Sequence, residues 1–214
     1  CMLLLDMTSK IKFLINYTKL GEFRFSSHLE LKALWERAFR RAEIPVKWTQ
    51  GFNPHIKLSF PWALPINVES FDEILEVELS EELSAESIEK RLLKQLPKEI
   101  GLKKVFRLKA KSRILPESWT YRIEIDEDSK NSMLNRRIER ILLEEKIEVV
   151  REKQSRKRTV DIRPFIRNIE LLPPQQLIVS IKFTGSGSAK VREILDLLNL
   201  KPQNQKVTKL RSYW

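Results

Sequence analysis

Ile11-Lys12-Phe13-Leu14-Ile15-Asn16-Tyr17, followed by His28-Leu29-Glu30-Leu31-Lys32-Ala33-Leu34-Trp35-Glu36-Arg37-Ala38-Phe39-Arg40-Arg41, decides the fold. In the first stretch Ile11, Phe13, Ile15 and Tyr17 alternate with Lys12, Leu14 and Asn16, the period of a half-buried strand. In the second, Leu31, Leu34, Trp35, Ala38, Phe39 and Ala42 fall at helical spacing, and Lys32, Glu36, Arg37, Arg40 and Arg41 fill the other positions. Short strand-like pieces follow at 46–49 and 57–60, then a strand at 71–79, a helix at 84–96 and a strand at 102–110. The order is β-α-β-β-α-β, the ferredoxin-like split pattern.

After a polar break at 112–118 the order repeats. Trp119, Tyr121, Ile123 and Ile125 alternate as a strand, and Leu134, Ile138, Ile141 and Leu142 mark a helix. Strands are expected at 147–151 and 177–183, a helix through Val191, Ile194, Leu195 and Leu198, and a closing strand at 207–214. The expectation is therefore an α+β chain of two tandem ferredoxin-like domains, residues 10–113 and 118–214, with no residue-level repeat.

Forty Lys and Arg against 29 Asp and Glu give 214 residues a net charge of +11, which points to a polyanionic partner, nucleic acid before an anionic membrane surface. The charge is segregated along the chain. Residues 58–89 hold nine acids and no Lys or Arg, whereas 90–113 hold ten bases and one acid. Glu76 and Glu78 alternate with Leu75, Val77 and Leu79, an acidic strand face without aromatics, which argues against the base-stacking sheet of RNA-recognition domains.

Basic surface is offered by Lys103, Arg107, Lys109 and Lys111, and by Arg151, Lys153, Arg156, Lys157, Arg158 and Arg163, opposed only by Glu152 and Asp161. Such a run binds phosphates by counterion release or stands as a solvated loop. The single cysteine, Cys1, excludes an internal disulfide and a cysteine-based metal site, and fits a reducing, cytoplasmic setting. Met2 to Leu5 is too short an apolar run to span a bilayer, so a soluble protein without membrane association is expected.

Both histidines fall at element boundaries. Ser27-His28-Leu29-Glu30 fits a capping box, which accounts for Ser27 and Glu30 and leaves His28 unexplained except as a packing residue or an anion contact. In Gln50-Gly51-Phe52-Asn53-Pro54-His55-Ile56-Lys57 the glycine and Asn-Pro suffice for a turn, and His55 and Lys57 add a titratable ring and a cation. His28 and His55 lack a third ligand, so no metal and no cofactor are expected. As a base and acid pair, with Lys57 stabilising a phosphorane, they would cleave RNA without metal. Gly185-Ser186-Gly187-Ser188 reads as a strand-to-helix turn or a phosphate cradle, and it lacks the full Walker pattern. Asp161-Ile162-Arg163-Pro164 reads as a salt-bridged turn or a second anion contact.

At these residues the chain resembles an uncharacterised radical-SAM-linked family, a domain found beside or fused to cobalamin-binding radical SAM proteins. The resemblance is carried by Arg24-Phe25-Ser26-Ser27-His28-Leu29-Glu30-Leu31, Arg37-Ala38-Phe39-Arg40-Arg41-Ala42, Ile44-Pro45-Val46, Gln50-Gly51-Phe52-Asn53-Pro54-His55, Ala63-Leu64-Pro65 and Asp161-Ile162-Arg163-Pro164. The chain departs from the pattern at Glu30, where the family has Asp, and at Ile56, where it usually has Pro. The resemblance implies a radical SAM partner, in cis or in trans, and carries no established activity over to this chain. The chain lacks a Cys-x-x-x-Cys-x-x-Cys motif and so holds no cluster of the usual radical SAM kind.

The leading expectation is a non-catalytic module that presents structured RNA, transfer or ribosomal, to a radical SAM enzyme. Its contact residues would be Arg24, Ser27, His28, Arg37, Arg40, Arg41, Gln50, Asn53, His55 and Lys57, with Arg156, Lys157, Arg158 and Arg163. The rivals are a metal-independent endoribonuclease using His28 and His55, and a protein-interaction domain docking through the acidic 58–89 segment.

Overall fold

A computed structural model of the chain describes residues 10–108, 116–125, 131–153 and 156–213. The fold is α+β, with a large mixed sheet and four helices among the described residues. Internal contacts divide it into two compact units, whose described parts are residues 10–66 with 72–108, and residues 67–71 with 116–213.

The first unit runs β1 (Ile11–Lys19), α1 (His28–Arg41), β2 (Leu58–Ser59), β3 (Val68–Leu79, of which residues 72–79 belong here), α2 (Ala85–Leu93) and β4 (Leu102–Leu108). Its strands lie in the order β2, β3, β1, β4, with β2 antiparallel to β3 and β4 antiparallel to β1. The inward residues of β1, Phe13, Ile15 and Tyr17, meet Leu31, Leu34, Trp35, Ala38 and Phe39 of α1 in one apolar cluster. Leu75, Val77 and Leu79 of β3 and Ile88 and Leu92 of α2 complete it.

α1 starts where the sequence says it should. Ser27 Oγ accepts the Glu30 N–H at 3.2 Å, and the Glu30 carboxylate accepts the Ser27 N–H at 2.7 Å, so two orphan donors of the first turn are satisfied. It stops at Ala42, after which Glu43 takes a left-handed φ of 51° and Pro45 forbids continuation. Ser27→Ala should lower stability by about 1 kcal/mol in urea denaturation. No measurable change would show that water replaces the cap without loss.

The second unit runs β5 (Ser118–Glu124), α3 (Asn131–Leu143), β6 (Glu148–Lys153), β7 (Arg156–Asp161), β8 (Ile166–Leu172), β9 (Gln176–Thr184), β10 (Gly187–Ser188), α4 (Val191–Leu197) and β11 (Lys206–Tyr213). β9 pairs antiparallel with β8, β10 and β5, and β5 with β11. Leu177, Val179 and Ile181 of β9, all fully buried, supply the centre of its core with Ile123, Ile194 and Val207. β6 and β7 form a separate two-stranded ribbon.

Several boundaries differ from the expectation. The 46–49 piece is reduced to isolated bridges, Val46 with Leu79 and Trp48 with Ile56. β3 begins at Val68, not Phe71, and Val68, Glu69 and Ser70 pair in parallel with Val207, Thr208 and Lys209 of β11, inside the second unit. β7 and β8 were not foreseen. Charge conceals β7, and a bulge between Ile166 and Asn168 breaks the alternation of β8, putting Ile166 and Ile169 both inward. Of the polar break at 112–118, residues 112–115 lie outside the described residues, as do Lys109 and Lys111.

Candidate functional site

α1 places His28, Lys32 and Glu36 at intervals of four, hence on one face. The segment 55–60 passes along it: the His28 ring meets Phe60 edge-on at 5.0 Å, and Glu36 Oε1 lies 3.8 Å from His55 Nδ1 and 3.9 Å from Lys32 Nζ. Eight residues of helix separate the two contacts by about 12 Å along the axis. The histidines therefore border the same face at different heights, and a base and acid serving one phosphate must both reach it at hydrogen-bond distance.

A cleft of about 380 Å³ opens beside His55, lined by Lys12, Lys32, His55, Lys57, Glu76 and Glu78 among others. His28 and Arg24 are not among its lining residues. Glu78 is nearly buried, and its carboxylate takes Lys47 at 3.0 Å and Lys57 at 3.9 Å. Burial pushes its carboxyl up, but the hydrogen bond and charge of Lys47, helped by Lys57, outweigh this and hold it below the usual glutamate range. Lys57 is thus committed to a carboxylate. Arg24 stacks on its own neighbour, the Phe25 ring, at 4.6 Å.

Lys19 is fully buried and donates to the Ser26 carbonyl at 3.2 Å, which fixes the loop entering α1. Burial pulls its ammonium down from the ordinary lysine range, against the opposing pull of Glu73 and Glu30. The sequence reading passed over this residue, since a lysine at the end of a strand resembles any solvated one.

The motif loop is a tight hairpin. The Thr49 N–H donates to the His55 carbonyl at 2.8 Å, and the His55 N–H to Thr49 Oγ1 at 2.9 Å, so residues 50–54 form an exposed tip. Gly51 sits at φ 127°, a conformation that favours glycine. Gln50 and Asn53 are exposed there, and Phe52 is wholly exposed. Beside the loop, the Arg40 guanidinium lies 5.1 Å from the Trp48 ring centroid, and Arg37 is exposed on the same helix. Arg41 donates to the Gln95 carbonyl at 2.7 Å. Trp48 and Phe52 were not singled out from sequence; an aromatic at the tip of a turn, where none is needed, was the available signal.

In the second unit the basic run divides by role. Arg151 grips Glu193 with two hydrogen bonds of 2.7 and 2.8 Å and donates to the Ser188 carbonyl at 2.7 Å. Arg163 donates to the carbonyls of Leu142, Glu144 and Ile166 at 2.6, 3.0 and 3.0 Å, closing the end of α3. Both are structural anchors here. Arg156, Lys157 and Arg158 are exposed on β7, and none is in an ion pair among the described residues. Arg158 stands opposite Arg151 in the ribbon register.

Two acids of the 58–89 segment meet bases of the 90–113 segment. Asp72 accepts from Asn16 at 2.7 Å and lies 3.7 Å from Lys103, while Arg107 reaches Glu82 at 2.7 Å. Part of the charge that is segregated along the chain is thus paired in space. Gly185 and Ser186 form the turn between β9 and β10, where Ser186 and Thr184 hydroxyls share a hydrogen bond of 2.8 Å. No described residues gather three His, Cys, Asp or Glu side chains as a metal site. No helix among the described residues is long and apolar enough to cross a membrane.

The chain is similar to a chain in the crystal structure of a Cbf5-Nop10-Gar1 complex, with 13% identity and a TM-score of 0.45, covering 94% of this chain and 48% of that one. It spans about half the length of that solved chain. No curated protein matches it. The sequence pattern of the family described as "Uncharacterized protein conserved in bacteria (DUF2344)" covers residues 12–198, from β1 through α4, and the chain belongs to this family.

Proposed function

We propose that the chain is an RNA-binding module that presents a structured RNA, transfer or ribosomal, to a radical SAM modification enzyme, joined to it in cis or meeting it in trans in the cytoplasm. The β6 and β7 ribbon carries this reading. Arg156, Lys157 and Arg158 face solvent in succession, whereas Arg151 across the ribbon is held by Glu193, so the three exposed cations are the ones open to a phosphate. The family resemblance supports the radical SAM partner, because its matching segments, Ser27-His28, Arg37 to Arg41 and Gln50 to His55, gather along α1 and its neighbouring loop. Binding is preferred to cleavage because the His28 contact with Phe60 and the His55 contact with Glu36 lie two turns apart along α1, and Lys57 faces Glu78.

Each unit is read as a ferredoxin-like domain, with residues 10–113 and 118–214 as the partition. The strand order β2, β3, β1, β4 in the first unit supports this, and so does β8, β9, β5, β11 in the second, with the ribbon inserted after α3.

A titration of a structured RNA against salt tests the proposal. The logarithm of affinity should fall with the logarithm of salt by about 0.7 to 0.9 per neutralised phosphate. Changing Arg156, Lys157 and Arg158 together to Glu should flatten the slope by about 2 to 3. No RNA binding at low salt rejects the reading.

A further inference from the structure

The first unit displays aromatic surface that its core does not use. Trp48 is 38% exposed and Phe52 fully so, although both belong to a hairpin whose backbone is fixed by the Thr49 and His55 hydrogen bonds and the Trp48 to Ile56 bridge. Four Cα-to-Cα steps separate the two, a reach of at most about 14 Å. Leaving a phenylalanine in water forgoes the stabilisation of burial, and the turn itself needs only Gly51 and Asn53-Pro54.

The surroundings of these rings are cationic. The Arg40 guanidinium already stacks on Trp48, and Arg37 is exposed one turn earlier on α1. Of the carboxylates near the loop, Glu36 is engaged by His55 and Lys32, and Glu78 by Lys47 and Lys57. A planar π surface with a guanidinium on it and a second arginine one turn away on α1 matches a partner that is itself planar and anionic. Nucleobases on a phosphate backbone are such a partner, stacking on the rings while the phosphates meet the guanidinium groups. A duplex hides its base faces, so the partner has to be unpaired.

We infer that Trp48 and Phe52, with Arg40 and Arg37, form a stacking platform for unpaired bases of a loop, bulge or single-stranded end. This rests on the RNA-binding reading and deepens it: the ribbon holds phosphates regardless of pairing, and the hairpin loop selects RNA with exposed bases. The platform lies on a hairpin and not on the sheet face, so the ferredoxin-like reading needs no aromatic sheet surface to bind RNA.

Three RNAs of equal charge test it by fluorescence anisotropy with the whole chain: a blunt duplex, the same duplex with a bulge of several nucleotides, and a single strand. The wild-type chain should prefer the bulged and single-stranded forms. Phe52→Ala and Trp48→Ala should each weaken those two by roughly 5- to 100-fold while leaving duplex affinity and the salt slope unchanged. Phe52→Tyr should restore binding, and Phe52→Leu should not. Because Phe52 makes no core contact, its variants stay folded even if Trp48→Ala does not. Equal losses on duplex and bulged RNA, or no loss on either, overturn the platform while the ribbon reading stands. Absence of any RNA binding by the wild-type chain removes both.

Discussion

Trp35→Ala is expected to lower the stability of the first unit by about 3–5 kcal/mol, a large share of the 5–15 kcal/mol that holds a typical domain folded. Trp35 is fully buried at the centre of α1, its ring edge-on to Tyr17 at 5.0 Å and tilted against Phe39 at 6.0 Å. Removing the indole withdraws the contact that joins helix to strand and opens a cavity that two rigid aromatic neighbours cannot fill by small shifts. Urea denaturation measures the loss. Hydrogen exchange locates it, with faster exchange expected for amides of β1 and α1. A loss under 1 kcal/mol would show that the core can close over the gap, and that Trp35 is not its keystone.

The second large effect is expected at the base of the ribbon. Arg151→Ala removes two charged hydrogen bonds to Glu193 and one to the Ser188 carbonyl. Because both side chains retain some exposure, 24% and 13%, the expected loss is discounted to about 2–3 kcal/mol. The pH dependence gives a second signature. Burial pushes the Glu193 carboxyl up, but the Arg151 hydrogen bond, the Lys190 amide and the Arg151 charge outweigh it and hold the carboxyl below the ordinary range. Its contribution is therefore complete above the ordinary glutamate pKa and is lost as pH falls through the lowered folded value. Urea midpoints measured from neutral to acid pH should fall less steeply in Arg151→Ala than in the wild type. Parallel profiles would mean that the pair contributes nothing.

The legible parts of the fold are those where one physical signal dominates. Phe13, Ile15 and Tyr17 announce β1 by alternation, and Leu31, Leu34, Trp35 and Phe39 announce α1 because each buries a large apolar surface at helical spacing. Ser27 and Glu30 were readable because a capping box is wholly local. β7 was not, since Arg156, Lys157 and Arg158 form a strand through cross-strand backbone pairing, which leaves no trace in hydropathy.

At the candidate site, sequence ranked residues by chemical type, and the structure sorts them by what their hydrogen-bonding groups already hold. Arg163 looked like its neighbours in the basic run but donates to three carbonyls, whereas Arg158 has no such engagement recorded. Arg40 could be listed with Arg37 and Arg41 from the helix periodicity. Its stacking on Trp48 depends on how the 46–57 segment folds back, a long-range outcome that no window of sequence contains.

The pairing of Val68, Glu69 and Ser70 with β11 has a bearing on biosynthesis. The second unit takes one edge of its sheet from a stretch translated well before any of its other strands, so it is discontinuous in the gene although compact in space. On a ribosome the amino-terminal half emerges and begins to fold first, with that short stretch already tethered at the start of β3. β11, made after the second unit's other described strands, then finds its parallel partner waiting. A gene cut between β4 and β5 would separate them, leaving the later part with Val207 to Lys209 unpaired along one edge, the kind of open strand that invites aggregation.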